Sequence, residues 1–249
     1  IPSLPIDHEV VITSREALER REVPDRVVIV GGGATGCEFA HIYRTYGAEV
    51  TIVELLPRLI PAEDEEVSAL LERSFRRRGI QLLTGASVHG ISVYGGRARV
   101  SVSANGADSV IECDTVLVSV GVQGNVDGIG LETVGIATEN GFIKIDERMR
   151  TSVPNVFAIG DVTGKLLLAH VASAQGVAAV ETMAGLDPPS LDYDLMPRAI
   201  YCEPQVASFG LTEAQATAQG IAVKVGKFPL AASGKALAIG ETDGLVKLV

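Results

Sequence analysis

The stretch that most constrains the fold runs from Val27 to Glu54 and reads VVIVGGGATGCEFAHIYRTYGAEVTIVE. The run from Arg26 to Val30 is rich in β-branched residues, which is typical of a strand buried on both faces of a parallel sheet. Three glycines at GxGxxG spacing follow, and the pattern then predicts a helix over 34–46 and a second strand from Glu49 to Val53. This order predicts a dinucleotide-binding βαβ unit.

The glycines of this turn have separate predicted tasks. Gly31 permits the tight turn, Gly33 lets a pyrophosphate approach the backbone, and Gly36 lets the helix pack against the strand. Glu54 ends the second strand, where an acid is expected to meet the adenosine ribose hydroxyls. It favours NAD over NADP, because a 2′-phosphate would face a carboxylate. Two alternatives stay open, a plain structural turn and the site of another nucleoside ligand such as S-adenosylmethionine.

Composition narrows the classes of partner. The chain has 249 residues, a hydrophobic content of 47% and a net charge of −10, so it can bury a full core and has the acidic surface of an ordinary globular protein. This charge argues against nucleic acid and against an anionic membrane as partners. No apolar run approaches the ~20 residues that span a bilayer, and the N-terminus resembles no signal peptide. We expect a cytoplasmic protein of one or two domains.

The three cysteines carry no recognisable metal or redox motif. Cys37, Cys113 and Cys202 lie far apart in the sequence and show neither CxxC nor CxxxxC spacing. We therefore predict no metal site, and we interpret all three as small buried apolar residues.

Further elements complete the predicted first domain, which covers residues 1–120. A short connecting helix, Ser14 to Arg21, precedes the βαβ unit, and a second amphipathic helix begins in the acidic run Glu63 to Glu66. A third parallel strand, an antiparallel meander with tight turns and a last buried strand follow. Their predicted ranges are Ile80–Leu83, Val88–Tyr94, Arg97–Ser103, Ser109–Cys113 and Thr115–Val120.

A second ligand-binding edge is predicted within residues 121–190. Asn155 to Ile159 has the composition of a buried strand, and Gly160 and Asp161 follow it, where ligands of open α/β sheets bind. Asp161 can accept hydrogen bonds from a polyol or ribose, although a plain helix cap is the simpler alternative. A strand over Gly141 to Ile145 and an alanine-rich helix over Ala172 to Met183 are also expected.

The proline-containing segment Leu186 to Asp194 predicts a boundary to a third part, residues 191–249. A helix over Thr212 to Gln219 is expected there together with several strands. The last strand, LVKLV, has no following strand as partner, and the first residues are rich in proline, so we expect a chain cut at both ends. The predicted strands are Ala199–Cys202, Val206–Phe209, Val223–Pro229 and Leu245–Val249.

Several motifs together resemble the pyridine nucleotide-disulfide oxidoreductases, and within them the dihydrolipoamide dehydrogenases. The motifs are VVIVGGGATGCE, VELLPRLIP, TSVPNVFAIGD, LLLAHVASAQG and YCEPQVASFGLTEAQA, and the resemblance covers nearly all of the chain. It implies an α/β fold: a Rossmann-like FAD/NAD(P)-binding domain with an antiparallel meander, part of a second FAD-binding region and a truncated α+β dimerisation domain.

The resemblance also implies two cofactors, NAD and FAD. Glu38 matches a glutamate near the flavin and nicotinamide, which pairs in the family with a lysine absent here. The residues implied for NAD are Gly31, Gly32, Gly33, Ala34, Thr35, Gly36, Cys37, Glu38, Glu54, Val88 and Gly121. Those implied for FAD are Asp161, which would bind the ribityl chain, and Leu167, Leu168, Ala169 and His170, which would line the isoalloxazine.

The chain also departs from the family pattern. It has GVQGN from Gly121, Gln175 in place of the usual Glu, and Cys202 and Gln205 in place of the usual Thr and Glu. The N-terminal FAD fingerprint, the CxxxxC redox disulfide and the C-terminal His-Glu pair have no counterpart in these residues. No catalytic residue is therefore expected in this chain, which alone should lack the full activity and bind FAD weakly or not at all.

In an intact relative, electrons would pass from dihydrolipoamide through the disulfide and FAD to NAD⁺. The implied partners are a second subunit, as a homodimer, and the lipoyl domain of a 2-oxo acid dehydrogenase complex. Two alternatives stay open: another disulfide reductase, of the mercuric reductase or glutathione reductase kind, and a non-catalytic NAD-binding module.

Overall fold

A computed structural model describes residues 4–249, so the first three residues of the predicted connecting segment lie outside the described part. By their contacts the residues group into two compact units. One comprises residues up to Gly121 together with Ala199–Val249, and the other comprises Val122–Arg198. The predicted domain boundaries stay a prediction.

The first unit begins with a five-stranded parallel sheet and a three-stranded antiparallel one. The sequence of elements is β1 (Val11–Ile12), α1 (Ser14–Glu19), β2 (Arg26–Val30), α2 (Ala34–Thr45), β3 (Glu49–Glu54), α3 (Glu65–Arg77), β4 (Gln81–Thr84), β5 (Ala86–Tyr94), β6 (Arg97–Ala104), β7 (Ala107–Cys113) and β8 (Thr115–Val118). The parallel sheet has the order β1-β8-β2-β3-β4, and β5, β6 and β7 form the predicted meander. The predicted α/β class and its meander are confirmed.

Both faces of β2 are buried, which explains its continuous apolar sequence. Ile29 packs in a core with Ile52 and with Phe75 of α3, whereas its neighbour Val28 packs in a second core with Val100 of the meander. Side chains alternate between the two faces of a strand. The sheet therefore lies between a helical layer and the meander, in three layers.

The second unit contains short elements and one long helix. They are α4 (Leu131–Val134), β9 (Thr138–Glu139), β10 (Phe142–Ile143), a 3₁₀ turn (Asp161–Thr163) and α5 (Ala169–Met183). A hairpin pairs β9 with β10. Met149, Ala178 and Ala179 form one small core, in which the alanines of α5 pack closely.

The predicted strand Asn155–Ile159 is wrong. Within residues 4–249 this segment forms a single antiparallel bridge, between Phe157 and Arg150, instead of a ladder. Asn155 has a φ of 66°, the left-handed conformation of a turn, which interrupts the extended backbone. The predicted burial is also wrong for most of the segment, because only Ala158 is buried, at 7% exposure, whereas Ile159 is 43% exposed.

The last part of the chain carries seven short elements: β11 (Arg198–Ile200), β12 (Val206–Ser208), α6 (Glu213–Ala218), β13 (Gly226–Pro229), a 3₁₀ turn (Leu230–Ala232), α7 (Gly234–Ile239) and β14 (Leu245–Leu248). The final strand has a partner, because β14 pairs antiparallel with β13. Ile200, Cys202 and Val206 belong to the same core as Ile29, so this part packs on the helical layer of the first unit.

A buried lysine adds a polar attachment to this packing. The side chain of Lys247, in β14, is 6% exposed. Its Nζ donates to Asp64 at 2.9 and 3.0 Å and to Glu66 at 2.8 Å, and it lies 2.7 Å from Glu213 Oε2. Burial alone would lower the pKa of Lys247, yet the hydrogen bonds that its Nζ donates to the three carboxylates raise the pKa above its ordinary value.

Candidate functional site

The glycine turn between β2 and α2 is so tightly packed that two of its positions exclude a side chain. Gly31 has a φ of 109°, and a Cβ there would lie 2.5 Å from the carbonyl oxygen of Ser119. A Cβ on Gly36 would lie 1.9 Å from the carbonyl oxygen of Gly31. The helix therefore begins in direct backbone contact with the turn, as expected for Gly36.

The opposite side of the turn is open. Gly33 is the N-cap of α2, where no side chain caps the first amides, and a Cβ on Gly33 would meet no atom within 4 Å. Ala34 and Thr35 continue this first turn of the helix. Unpaired amides at a helix N-terminus carry a partial positive charge and favour anions such as phosphate. The described residues thus fit a pyrophosphate at the place predicted for it.

Glu54 lies directly at the glycine turn. Its Oε2 accepts a hydrogen bond from Gly32 N at 2.5 Å, and its Oε1 accepts one from Leu56 N at 2.7 Å. The residue is 9% exposed, so the carboxylate has a fixed orientation. The acid predicted to discriminate between nucleotides is therefore adjacent to the turn predicted to hold the phosphates.

Glu38 follows in the first turns of α2, and its contact comes from the distant end of the chain. Its Oε1 accepts a hydrogen bond from Tyr201 N at 2.8 Å. The segment after β11 therefore holds this carboxylate. A contact between residues so far apart in sequence leaves no local pattern, and sequence reasoning missed it.

Cys37 has its side chain in the core instead of on the open side of the turn. It is fully buried, and its Sγ lies 3.5 Å from the carbonyl oxygen of Gly32. Burial raises the pKa of the Cys37 thiol well above its ordinary value, and burial also raises that of Cys113 to about 11 and that of Cys202 to about 12. The interpretation of the three cysteines as small buried residues is confirmed.

Two further residues predicted for NAD, Val88 and Gly121, lie outside the glycine turn. Val88, in β5, is partly buried and packs against the core beneath the meander. Gly121 follows β8 with a φ of 131°, and a Cβ there would meet no atom within 4 Å. Ser119, two residues earlier, was missed: its Oγ lies 3.1 Å from the carbonyl oxygens of both Val30 and Gly31 and ties β8 to the turn.

In the second unit, Gly160 and Asp161 form a tight turn. Gly160 has a φ of 77°, and its carbonyl accepts hydrogen bonds from the Thr163 amide at 2.9 Å and hydroxyl at 2.8 Å. Asp161 is exposed. An exposed carboxylate next to a residue without a side chain can accept hydrogen bonds from a polyol.

The predicted segment Leu167–His170 lies at the start of α5. Leu168 is the N-cap and supplies no side-chain hydrogen bond, so the first amides of this 15-residue helix are uncapped by side chains. His170 is exposed, and its Nε2 donates to the carbonyl of Pro197 at 2.8 Å. The segment therefore combines apolar side chains with a helix N-terminus.

Gln175 holds this second turn in place. It is 1% exposed, and its Oε1 accepts from Gly160 N at 2.6 Å while its Nε2 donates to the Tyr193 hydroxyl at 3.0 Å. Its only signal in the sequence is a polar residue within an alanine-rich helix, at a position where the family pattern has Glu.

Among residues 4–249, no group of three His, Cys, Asp or Glu side chains is arranged to hold a metal ion. Over the same range, no helix combines the length and apolarity that crossing a bilayer requires.

Two family models match the chain. The pyridine nucleotide-disulphide oxidoreductase model matches residues 2–176, and the dimerisation domain of the same family matches residues 196–249. Among solved structures, LpdA from Mycobacterium tuberculosis has a TM-score of 0.90 at 29% identity, over 99% of this chain and 53% of that one. The HOCl-induced flavoprotein disulfide reductase RclA from Escherichia coli has a TM-score of 0.88 at 28% identity, over 99% of this chain and 57% of that one.

Curated relatives agree with these matches. A dihydrolipoyl dehydrogenase from Mycobacterium leprae is 51% identical over 96% of this chain and 52% of its own length. One from Bacillus subtilis is 45% identical over 100% of this chain and 53% of its own length. The chain thus spans about half the length of the curated relatives it matches. From its glycine turn to its last strand, the chain belongs to the pyridine nucleotide-disulphide oxidoreductase family.

Proposed function

We propose that this chain carries the NAD site and part of the FAD site of a flavoprotein of the dihydrolipoyl dehydrogenase type. The observation that supports this most is the contact between Glu54 and Gly32, which joins an acid to an open glycine turn. Family membership implies binding of FAD and NAD(P), and the names of the relatives favour NAD.

In this proposal the NAD site surrounds the N-terminus of α2. The amides from Gly33 to Gly36 stabilise the pyrophosphate charge, and the Glu54 carboxylate accepts hydrogen bonds from the adenosine ribose. Glu38 faces the nicotinamide side, held by Tyr201 N. NAD⁺ supplies the hydride acceptor when bound. The proposed NAD residues are Gly31, Gly32, Gly33, Ala34, Thr35, Gly36, Cys37, Glu38, Glu54, Val88 and Gly121. Cys37 contributes through its backbone, since its side chain is buried.

The FAD part of the proposal rests on the second unit. Asp161 would orient the ribityl hydroxyls, and the backbone and side chains of Leu167, Leu168, Ala169 and His170 would line one side of the flavin. The uncapped amides of α5 favour negative charge on a ligand. Gln175 keeps the Gly160 peptide in place.

For the intact protein we propose a homodimer, which the matched dimerisation model supports. Its proposed substrate is dihydrolipoamide, carried on a lipoyl domain of a 2-oxo acid dehydrogenase complex. A cytoplasmic location is part of the same proposal. We also retain the division into a NAD-binding domain over 1–120, half of an FAD-binding region over 121–190 and an interface domain over 191–249.

The test is an assay of the full-length gene product with bound FAD. We expect reduction of NAD⁺ by dihydrolipoamide. To test the glutathione reductase and mercuric reductase alternatives, the same preparation should be offered NADPH with glutathione disulfide and with Hg²⁺. Turnover with one of these and none with dihydrolipoamide would identify another disulfide reductase. No turnover with any of them, in a protein that binds NAD, would favour a non-catalytic module.

A further inference from the structure

Gly32 lies in the middle of the glycine turn. Its amide and its carbonyl both form hydrogen bonds, one with the last residue of β3 and one with the loop that follows β3. Its amide donates to Glu54, and its carbonyl accepts from Ile60 N at 2.7 Å. A Cβ on Gly32 would lie 2.5 Å from Leu59 Cδ2. The loop 55–61 therefore lies directly against the turn, and its position and that of the Glu54 carboxylate depend on each other.

Two side chains of α3 hold this loop. Ser68 Oγ donates to the Leu59 carbonyl at 2.7 Å, and Glu72 Oε1 accepts from Leu59 N at 3.0 Å. Leu59 and Ser68 are both 0% exposed, so water has no access to replace the bond between them. Both polar groups of one loop residue are thus attached to α3.

The next residue has a strained backbone. Ile60 has a φ of 41°, a left-handed conformation that β-branched residues rarely adopt. Such strain persists where the surroundings determine the conformation, and it concentrates at functional sites. Here the Leu59 bonds on one side and the Gly32 bond on the other impose it, because they aim Ile60 N at the glycine turn.

We propose that Ser68 and Glu72 are positioning residues that set the discrimination between NAD and NADP. They orient the Leu59 peptide, which places Ile60 N on Gly32 and so orients the Gly32 amide towards Glu54. The inference rests on the proposed NAD site. Neither residue touches the nucleotide in this scheme, and their effect passes through the loop.

The test compares NAD⁺ and NADP⁺ affinities by calorimetric titration of the purified chain. Ser68→Ala and Glu72→Leu should lower the ratio of the two affinities by about three- to tenfold, the range expected for loss of one hydrogen bond. Glu72→Gln keeps an acceptor for Leu59 N and should retain the wild-type ratio. Ser74→Ala is the matched control, since Ser74 is also buried on α3 at 5% exposure.

The ratio distinguishes positioning from general damage, because loss of folded protein lowers both affinities in proportion. An unchanged ratio in both Ser68→Ala and Glu72→Leu, with a changed ratio in Glu54→Ala, would overturn the inference and leave the NAD site intact. A wild-type chain that shows no preference for NAD⁺ would overturn the proposed site itself. Ser68→Ala removes a single atom and decides the question if Glu72→Leu does not fold.

Discussion

At the scale of single residues, Gly33 and Gly36 lie one helical turn apart, and an added methyl group meets different surroundings at each. Gly36→Ala places a Cβ 1.9 Å from the Gly31 carbonyl oxygen and should destabilise the fold by about 1–3 kcal/mol, as overpacking does. Gly33→Ala meets no atom and should retain the wild-type Tm but bind NAD⁺ more weakly. Thermal unfolding and titration measure both effects. Wild-type affinity in Gly33→Ala would show that no phosphate approaches this side.

In the second unit, Gln175 is the residue that fixes the turn at Gly160. Gln175→Ala leaves Gly160 N without its acceptor and should cost about 1 kcal/mol, because Gly160 is only partly buried and water can replace part of the lost bond. In the full-length protein we expect loss of bound flavin, measured by absorbance after gel filtration. Tyr193→Phe is the control, because it removes only the bond to Nε2. Stoichiometric flavin in Gln175→Ala would remove this residue from the proposed site.

At the scale of elements, the attachment of β14 to α3 depends on Lys247. Lys247→Met leaves Asp64, Glu66 and Glu213 near one another and should lower the free energy of unfolding by about 1.5–3 kcal/mol, the range for lost hydrogen bonds to charged groups, since Glu66 and Glu213 remain accessible to water. Lys227→Met is the control, since Lys227 is half exposed and contacts Glu66. We expect it to cost at most about 1 kcal/mol. Equal losses in the two variants would contradict this account.

The same cluster predicts a pH dependence. Hydrogen bonds from Lys227 and Lys247 lower the pKa of Glu66 below its ordinary 4.5. A group whose pKa is lowered on folding stabilises the protein above its unfolded pKa, and this contribution disappears as pH falls through the folded value. The stability difference between wild type and Lys247→Met should therefore be full near neutral pH and shrink below about pH 4. Urea titrations at several pH values measure it, and a difference that grows on acidification would contradict the prediction.

Elements with a strong local signal could be predicted from the sequence, and elements that depend on distant partners could not. The run before Gly31 predicted β2 to the residue, because burial on both faces leaves a continuous apolar pattern. The segment at Asn155 has a similar composition but no neighbouring strand within residues 4–249, and it forms a turn. The six-residue helix α7 was missed, because it lacks the capping box that marks the start of the equally short α1 and α6.

The same distinction between local motifs and distant contacts holds for the candidate site. The glycines and Glu54 follow a local motif and could be predicted, whereas the bonds of Tyr201 to Glu38 and of Ser68 to Leu59 join residues that no sequence pattern relates. The strain at Ile60 is also invisible in sequence, because an isoleucine there indicates only burial.

At the scale of the whole molecule, residues 4–249 carry two candidate nucleotide sites that differ in how many of their groups are held in place. The first has a helix N-terminus, an open turn and an oriented carboxylate in one compact unit. The second depends on an exposed aspartate and the start of α5. We therefore expect the chain to bind a nicotinamide nucleotide more tightly than it binds flavin, and equilibrium dialysis against NAD⁺ and FAD measures both. Tighter binding of FAD would contradict this expectation.

The most direct test of the central claim is calorimetric titration of the purified chain with NAD⁺ and, separately, with NADP⁺. We expect one NAD⁺ per chain and an affinity for NADP⁺ that is weaker by at least about tenfold, equivalent to ~1.4 kcal/mol. Glu54→Ala should remove most of this preference while the chain stays folded. Equal affinities for the two nucleotides in the wild-type chain, or no binding of NAD⁺ by the folded chain, would contradict the proposed site.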